Sequence, residues 1–139
     1  MQRVDEVQAL GWMVAGAGAV SCVAGVGAWL TIRSQLAAER IVVAGSAPWL
    51  AGCPVKGPLT ALAQAEAIRR TTLNATGGRT YGQMESDDPN AEMAMNASLL
   101  RSSLFTSILA FGVAAAQVGL GAALTATGVA IGRAGRRLR

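Results

Sequence analysis

The sequence predicts an all-α fold: a transmembrane helical hairpin with a small helical extracytoplasmic cap between the two spans. Three observations predict it. No charged residue lies between Glu6 and Arg33, nor between Arg101 and Arg133, and about 20 apolar residues suffice for a helix to cross a bilayer. Only 14% of the 139 residues are charged while 52% are hydrophobic, against about 25% charged in an ordinary soluble domain. Arg133, Arg136, Arg137 and Arg139 crowd the last seven residues, which is the mark of a cytoplasmic segment beside a span.

Residues 1–8 are expected as a cytoplasmic N-terminus and residues 9–32 as the first span. Trp12 and Trp29 stand near its ends, where indoles prefer the membrane–water interface. A cleaved signal is not expected, because the residues before the span hold Asp5 and Glu6 against Arg3 and the apolar run is too long. Ala19-Val20-Ser21-Cys22 matches a lipobox loosely, yet the apolar run continues past Cys22, so lipidation is not expected either. Residues 102–132 form the second span and residues 133–139 an Arg-rich cytoplasmic tail. Two spans return the chain to its starting side, so the protein is expected in a bacterial plasma membrane, multi-pass, with both termini cytoplasmic.

Residues 33–101 are then extracytoplasmic, with seven Lys/Arg and six Asp/Glu. Ser34 to Arg40 should extend the first span by about two helical turns. Ile41-Val42-Val43 is β-prone, and residues 47–58 hold three of the four prolines and must be extended and turn-rich. A helix is expected near 59–75, opened by Pro58 and ended by Gly77-Gly78, with an Ala-rich stripe along Leu59, Leu62, Ala63, Glu66, Ala67 and Arg70. Another is expected near 89–101, started by Ser86-Asp87-Asp88-Pro89 and running unbroken into the second span. Trp49 and Leu50 are expected to pack against the stems, and with Tyr81 they are the candidate contact residues of the outer cap.

Small residues recur along both spans. Gly11, Ala15, Gly18, Cys22 and Gly25 follow one another every three or four residues, with Gly16 and Gly27 widening that face. Ala115, Gly119 and Ala123 repeat every four, and Gly128 and Gly132 make a GxxxG. Small faces let helix backbones approach closely in lipid, so these residues, Gly16 and Gly27 apart, are the ten of the candidate helix-packing interface, partly between the two spans and partly with neighbours.

Several chemistries are not expected. The chain has no His, which removes His-based triads, His haem ligation and His-containing zinc sites. Cys22 at mid-membrane and Cys53 in the outer segment lie at depths too different to pair. The acids Glu85, Asp87, Asp88 and Glu92 read as helix capping and solvation rather than a calcium loop. The spans hold no Asp, Glu, Lys or Arg, whereas a proton carrier needs an ionisable group at that depth. The chain is therefore expected to be no enzyme, with no cofactor, no metal and no nucleic-acid partner, and to contact phospholipids through its Arg tail.

Glu39-Arg40-Ile41-Val42-Val43, the Ala47–Gly52 run with Pro54 and Gly57-Pro58, Ala63–Ile68, Ala75–Tyr81 and Ser98–Ser107 together resemble a family of small actinobacterial two-span membrane proteins, the respiratory supercomplex association factors. Eleven Arg against one Lys suit such a GC-rich source. The resemblance implies a non-catalytic accessory subunit with cytochrome bcc and cytochrome oxidase components as partners. It implies no catalytic residues. The alternatives are a homo-oligomeric two-span channel and an envelope assembly or stress factor.

Overall fold

The structure is a computed structural model that describes residues 2–137. It is all-helical: α1 (Gln2–Ala38), α2 (Pro58–Ala75), a single 3-10 turn (Tyr81–Gln83) and α3 (Ala91–Arg137). The chain falls into two compact units, one drawn from Met1–Leu30 with Gly112–Arg139, the other from Thr31–Phe111.

Helices α1 and α3 are long and apolar enough to cross a membrane, and only 22% and 17% of their apolar windows is buried in the protein. The core helices of a soluble bundle would be covered on most sides. Here Val20, Val23, Val113 and Leu120 each keep more than half of their surface exposed, a face suited to lipid rather than water. Helix α1 already begins at Gln2 and α3 continues to Arg137, so most of the two expected termini prolong the helices instead of forming separate tails. Arg139 and the side chain of Arg137 lie outside the described residues.

In the first unit α1 and α3 run antiparallel, back to back along glycines. A Cβ placed on Gly11 would lie 2.6 Å from the Gly132 nitrogen, one on Gly18 would lie 2.5 Å from the Thr125 nitrogen, and one on Gly25 would lie 2.9 Å from the Ala114 carbonyl oxygen. From the other side, a Cβ on Gly121 would meet the Gly18 carbonyl oxygen at 2.6 Å, and one on Gly128 would collide with the Ala15 nitrogen. Such close approaches let two backbones gain dispersion contacts with each other.

The second unit begins with the last turns of α1. Arg40 adopts φ +51° and ends that helix. Ile41–Val43 then pairs antiparallel with Cys53–Val55: the Val43 N–H donates to the Cys53 carbonyl (2.9 Å) and the Val55 N–H to the Ile41 carbonyl (2.8 Å). The β-prone run thus makes one isolated bridge, Val42 with Pro54, and no strand, because Pro54 has no N–H to extend the ladder. Val43 and Val55 are buried and anchor this arch.

Helix α2 starts and ends where its sequence signals stand. Pro58 occupies its first turn, and Gly57 before it is extended. Thr60 Oγ1 accepts from the Gly57 N–H (3.1 Å) and donates to the Gly57 carbonyl (3.0 Å). Gly77 and Gly78 carry positive φ, and the Gly78 N–H returns to the Leu73 carbonyl at 2.7 Å, which closes the helix end.

Ala63 and Ala67 of the expected stripe on α2 are buried, and its two leucines are not. Ala61, Ala63, Ala65 and Ala67 are the buried residues, while Leu59 is 65% and Leu62 38% exposed. The reason is that α2 is covered on two sides. Gln64 accepts the Ala44 N–H and Thr71 meets Ser46, both from the arch, whereas Ile68 and Thr72 line recesses whose other wall is α3. Two neighbours at close range leave room for methyl groups and none for leucines.

Helix α3 begins at Ala91 rather than Pro89. Asp88 closes a turn first, its carboxylate accepting the Asn90 N–H (2.9 Å) and its carbonyl the Ala91 N–H (2.9 Å). From there the helix is unbroken, as its sequence predicts.

Candidate interaction surfaces

Four of the five small residues predicted on α1 (Gly11, Ala15, Gly18 and Gly25) are buried, and Cys22 is half-buried. The matching face of α3 is Ala114, Val118, Gly121, Thr125, Gly128 and Gly132. Gly128 and Gly132 were on the predicted interface; Ala114 and Gly121 were not. Ala115, Gly119 and Ala123 lie outside the seam and are exposed. A stride of four advances 400° and drifts about 40° per step, while a stride of seven drifts only about 20° back. The smallest residues on the face recur by seven, Gly11, Gly18 and Gly25 on α1 and Ala114, Gly121, Gly128 and Gly135 on α3, with Ala15, Val118, Thr125 and Gly132 filling the alternate steps between them. That heptad of small residues is visible in the sequence once a period of seven is sought.

Polar side chains in the seam are satisfied locally. Thr125 Oγ1 donates to the Gly121 carbonyl (2.8 Å) and lies 3.4 Å from the Ala15 carbonyl. Ser21 Oγ donates to the Gln117 carbonyl (3.4 Å) and Cys22 Sγ to the Val118 carbonyl (3.4 Å). At one end, the Arg136 guanidinium stands 5.4 Å from the Trp12 ring centroid, a cation–π contact. Cys22 and Cys53 are both free thiols.

The outward faces are a second surface. A Cβ on Gly16, Gly27, Gly112 or Gly119 meets nothing within 4 Å. Gly16 and Gly27 therefore do not widen the seam as the sequence suggests; they face away from it, with Ala115, Gly119 and Ala123 on the corresponding side of α3.

In the second unit, Trp49 and Leu50 each keep 38% of their surface exposed, and Tyr81 keeps 46%. Most of the surface of Trp49 and Leu50 is covered, although neither is fully buried. Val43 and Val55 take the interior positions of the arch, and Leu50, at φ +55°, sits in its turn, where the Cys53 N–H donates to its carbonyl (3.0 Å).

Charges of this unit pair on its surface. Glu66 accepts from Arg69 Nε (2.9 Å) and Nη2 (2.8 Å) and from Arg70 Nε (3.1 Å). The hydrogen bonds from Arg69 first, and from Arg70 next, lower the Glu66 carboxyl from 4.5 to about 2. A depressed carboxylate contributes stability that is present above its usual 4.5 and is lost as pH falls toward 2. In a carboxylate carbon-shift titration by NMR, Glu66 should half-titrate near 2, and replacing both Arg69 and Arg70 by Gln should return it toward 4.5. Asp88 is also lowered, first by the Asn90 N–H and then by Arg79, whose Nη1 lies 2.7 Å from it. Glu85, Asp87 and Glu92 stay exposed, and no cluster of metal-ligating residues occurs among the described residues.

Together these features define an all-helical chain with two helices long and apolar enough to cross a membrane and a small helical arch unit. Comparison with profiles of known families, with curated proteins and with solved structures gives no match.

Proposed function

We propose that this chain is a non-catalytic accessory subunit that associates with and stabilises a larger membrane complex. It would cross the membrane twice, with both termini cytoplasmic and residues 33–101 outside. The observation that carries this reading is the outward small-residue face. Gly16, Gly112 and Gly119 have open space where a side chain would be. A glycine inside a helix costs about 1 kcal/mol relative to alanine. That cost is offset where a neighbouring helix approaches closely, and not where lipid does. The exposed Trp49, Leu50 and Tyr81 offer a second contact region in the arch unit, of the amphipathic aromatic kind that interfaces favour.

The host we propose is the cytochrome bcc–cytochrome oxidase supercomplex, on the strength of the resemblance to respiratory supercomplex association factors. A tagged full chain extracted from native membranes in mild detergent should bring haem absorption bands, with bcc and oxidase subunits in near-equal amounts by mass spectrometry. A colourless eluate would overturn that host. If it ran as one homo-oligomer it would favour a channel, and if it held envelope proteins it would favour an assembly factor.

A further inference from the structure

The recess beside Arg101 in the second unit has the chemistry of an oxyanion site. It has a volume of about 120 Å³, room for about four waters. Arg69, Thr72, Thr80, Tyr81, Ser98 and Arg101 supply its polar walls, and no carboxylate lines it. Arg101 Nε is buried without a hydrogen-bond partner, the one such side-chain atom among the described residues. Its guanidinium rests 5.8 Å from the Phe105 ring centroid and makes no ion pair among the described residues. Arg69, Arg70 and Arg79, by contrast, are paired with Glu66 or Asp88.

A buried donor left unmade costs about 1–3 kcal/mol, and more when charged. The chain provides this nitrogen with no acceptor, and a ligand in the recess would reach it by a turn of the Arg101 side chain. The hydroxyls divide in the same sense. Thr72 already donates to the Ile68 carbonyl (2.8 Å), and Thr80 faces Gln83 Oε1 (3.1 Å). The Ser98 and Tyr81 hydroxyls make no hydrogen bond among the described residues, and both residues are exposed and line the recess.

We propose that this recess binds a phosphate group, with Arg101 as the fork and the Ser98 and Tyr81 hydroxyls as additional donors. Guanidinium groups match the oxygens of phosphate two at a time. The source favoured is a phospholipid headgroup. Arg101 is the last charge before the uncharged stretch 102–132, and its neighbours Leu99 and Leu100 are 61% and 58% exposed, so it stands where an apolar helix surface meets a cation. The proposal needs the chain to reside in a membrane and is independent of which complex hosts it.

The test uses the full chain, delipidated in a neutral detergent and titrated with phosphatidylglycerol, with diacylglycerol, or with inorganic phosphate, binding being read by native mass spectrometry and by the shift in melting temperature. Arg101→Gln removes the fork. Ser98→Asp leaves Arg101 in place, changes an exposed residue and puts a carboxylate at the recess, so it decides the matter if Arg101→Gln perturbs folding. Both variants should bind phosphatidylglycerol about tenfold more weakly or worse than wild type, with diacylglycerol binding unchanged. Inorganic phosphate that binds alone in an Arg101-dependent way would support the phosphate site and move its source to a soluble compound. Phosphatidylglycerol binding equal in wild type and both variants, or absent in wild type, would overturn the proposal.

Discussion

Gly128→Leu should separate the two long helices. A single Cβ at that position already collides with the Ala15 nitrogen and lies 2.5 Å from the Gly11 carbonyl oxygen. These are backbone atoms, so no rotamer change can make room. Overpacking commonly costs about 1–3 kcal/mol, and a site walled by backbone belongs at or above the top of that range. The expected result is a large drop in the thermal midpoint of the full chain in detergent, together with loss of cross-linking between cysteines placed at Ala15 and Thr125. Gly119→Leu is the matched control. It changes the same helix by the same side chain, but nothing lies within 4 Å of its Cβ, so the helix pair should keep its stability. Equal losses from both variants would mean that the seam does not hold the pair together.

Ala65→Leu should be the most damaging comparable change in the second unit. Ala65 is 1% exposed, and Ala61, Ala63 and Ala67 are fully buried on the same helix. Three added carbons must push α2 away from a neighbour, at a cost of about 1–3 kcal/mol. Leu59→Ala and Leu62→Ala remove larger side chains and should still cost less than Ala65→Leu, because Leu59 keeps 65% and Leu62 38% of its surface exposed. Denaturation of the three variants, followed by far-UV circular dichroism, gives the ranking. If Leu62→Ala proved the worst of them, the assignment of the buried face would be reversed.

The order of these effects shows what the sequence made legible. Span existence, the start and end of α2 and the continuity of α3 all follow from local signals: two uncharged gaps, Pro58, Gly77-Gly78 and an unbroken run after Asn90. The seam on α1 was legible because its glycines are spaced by seven and Ala15 and Cys22 fill the three- and four-residue steps between them. On α3 the four-residue spacing of Ala115, Gly119 and Ala123 competed with the seven-residue spacing of Gly121, Gly128 and Gly135, and only the second keeps pace with a facing helix. On α2, Ala63 and Ala67 were legible as part of an Ala-rich stripe, while the burial of Ala61 and Ala65 was hidden for a different reason. Pattern reading assumes that large apolar residues point inward, but a helix pressed between two close neighbours buries its smallest residues. Trp49 and Leu50 carry no such signal, because an arch of Pro and Gly has no periodicity from which to infer an inside.

Arg101 was legible only as the charge that closes a segment. Its unpartnered Nε depends on the approach of α2 and of the 80–81 turn to α3, which no local pattern encodes. The surface ion cluster on α2 was half legible. The Glu66 to Arg70 spacing was visible as a routine pair, while the stronger contribution of Arg69 to the Glu66 carboxyl came from the two-point hydrogen bond.

The proposed role rests on the outward faces of α1 and α3 meeting other polypeptides in the membrane. The most direct test is a photo-reactive residue placed at Leu120, which is 67% exposed and beside Gly119, with cross-linking carried out in intact native membranes. The role predicts a discrete adduct between this chain and a different polypeptide, weakened by Gly119→Leu. Adducts with lipid alone, or only with a second copy of the chain, would contradict it.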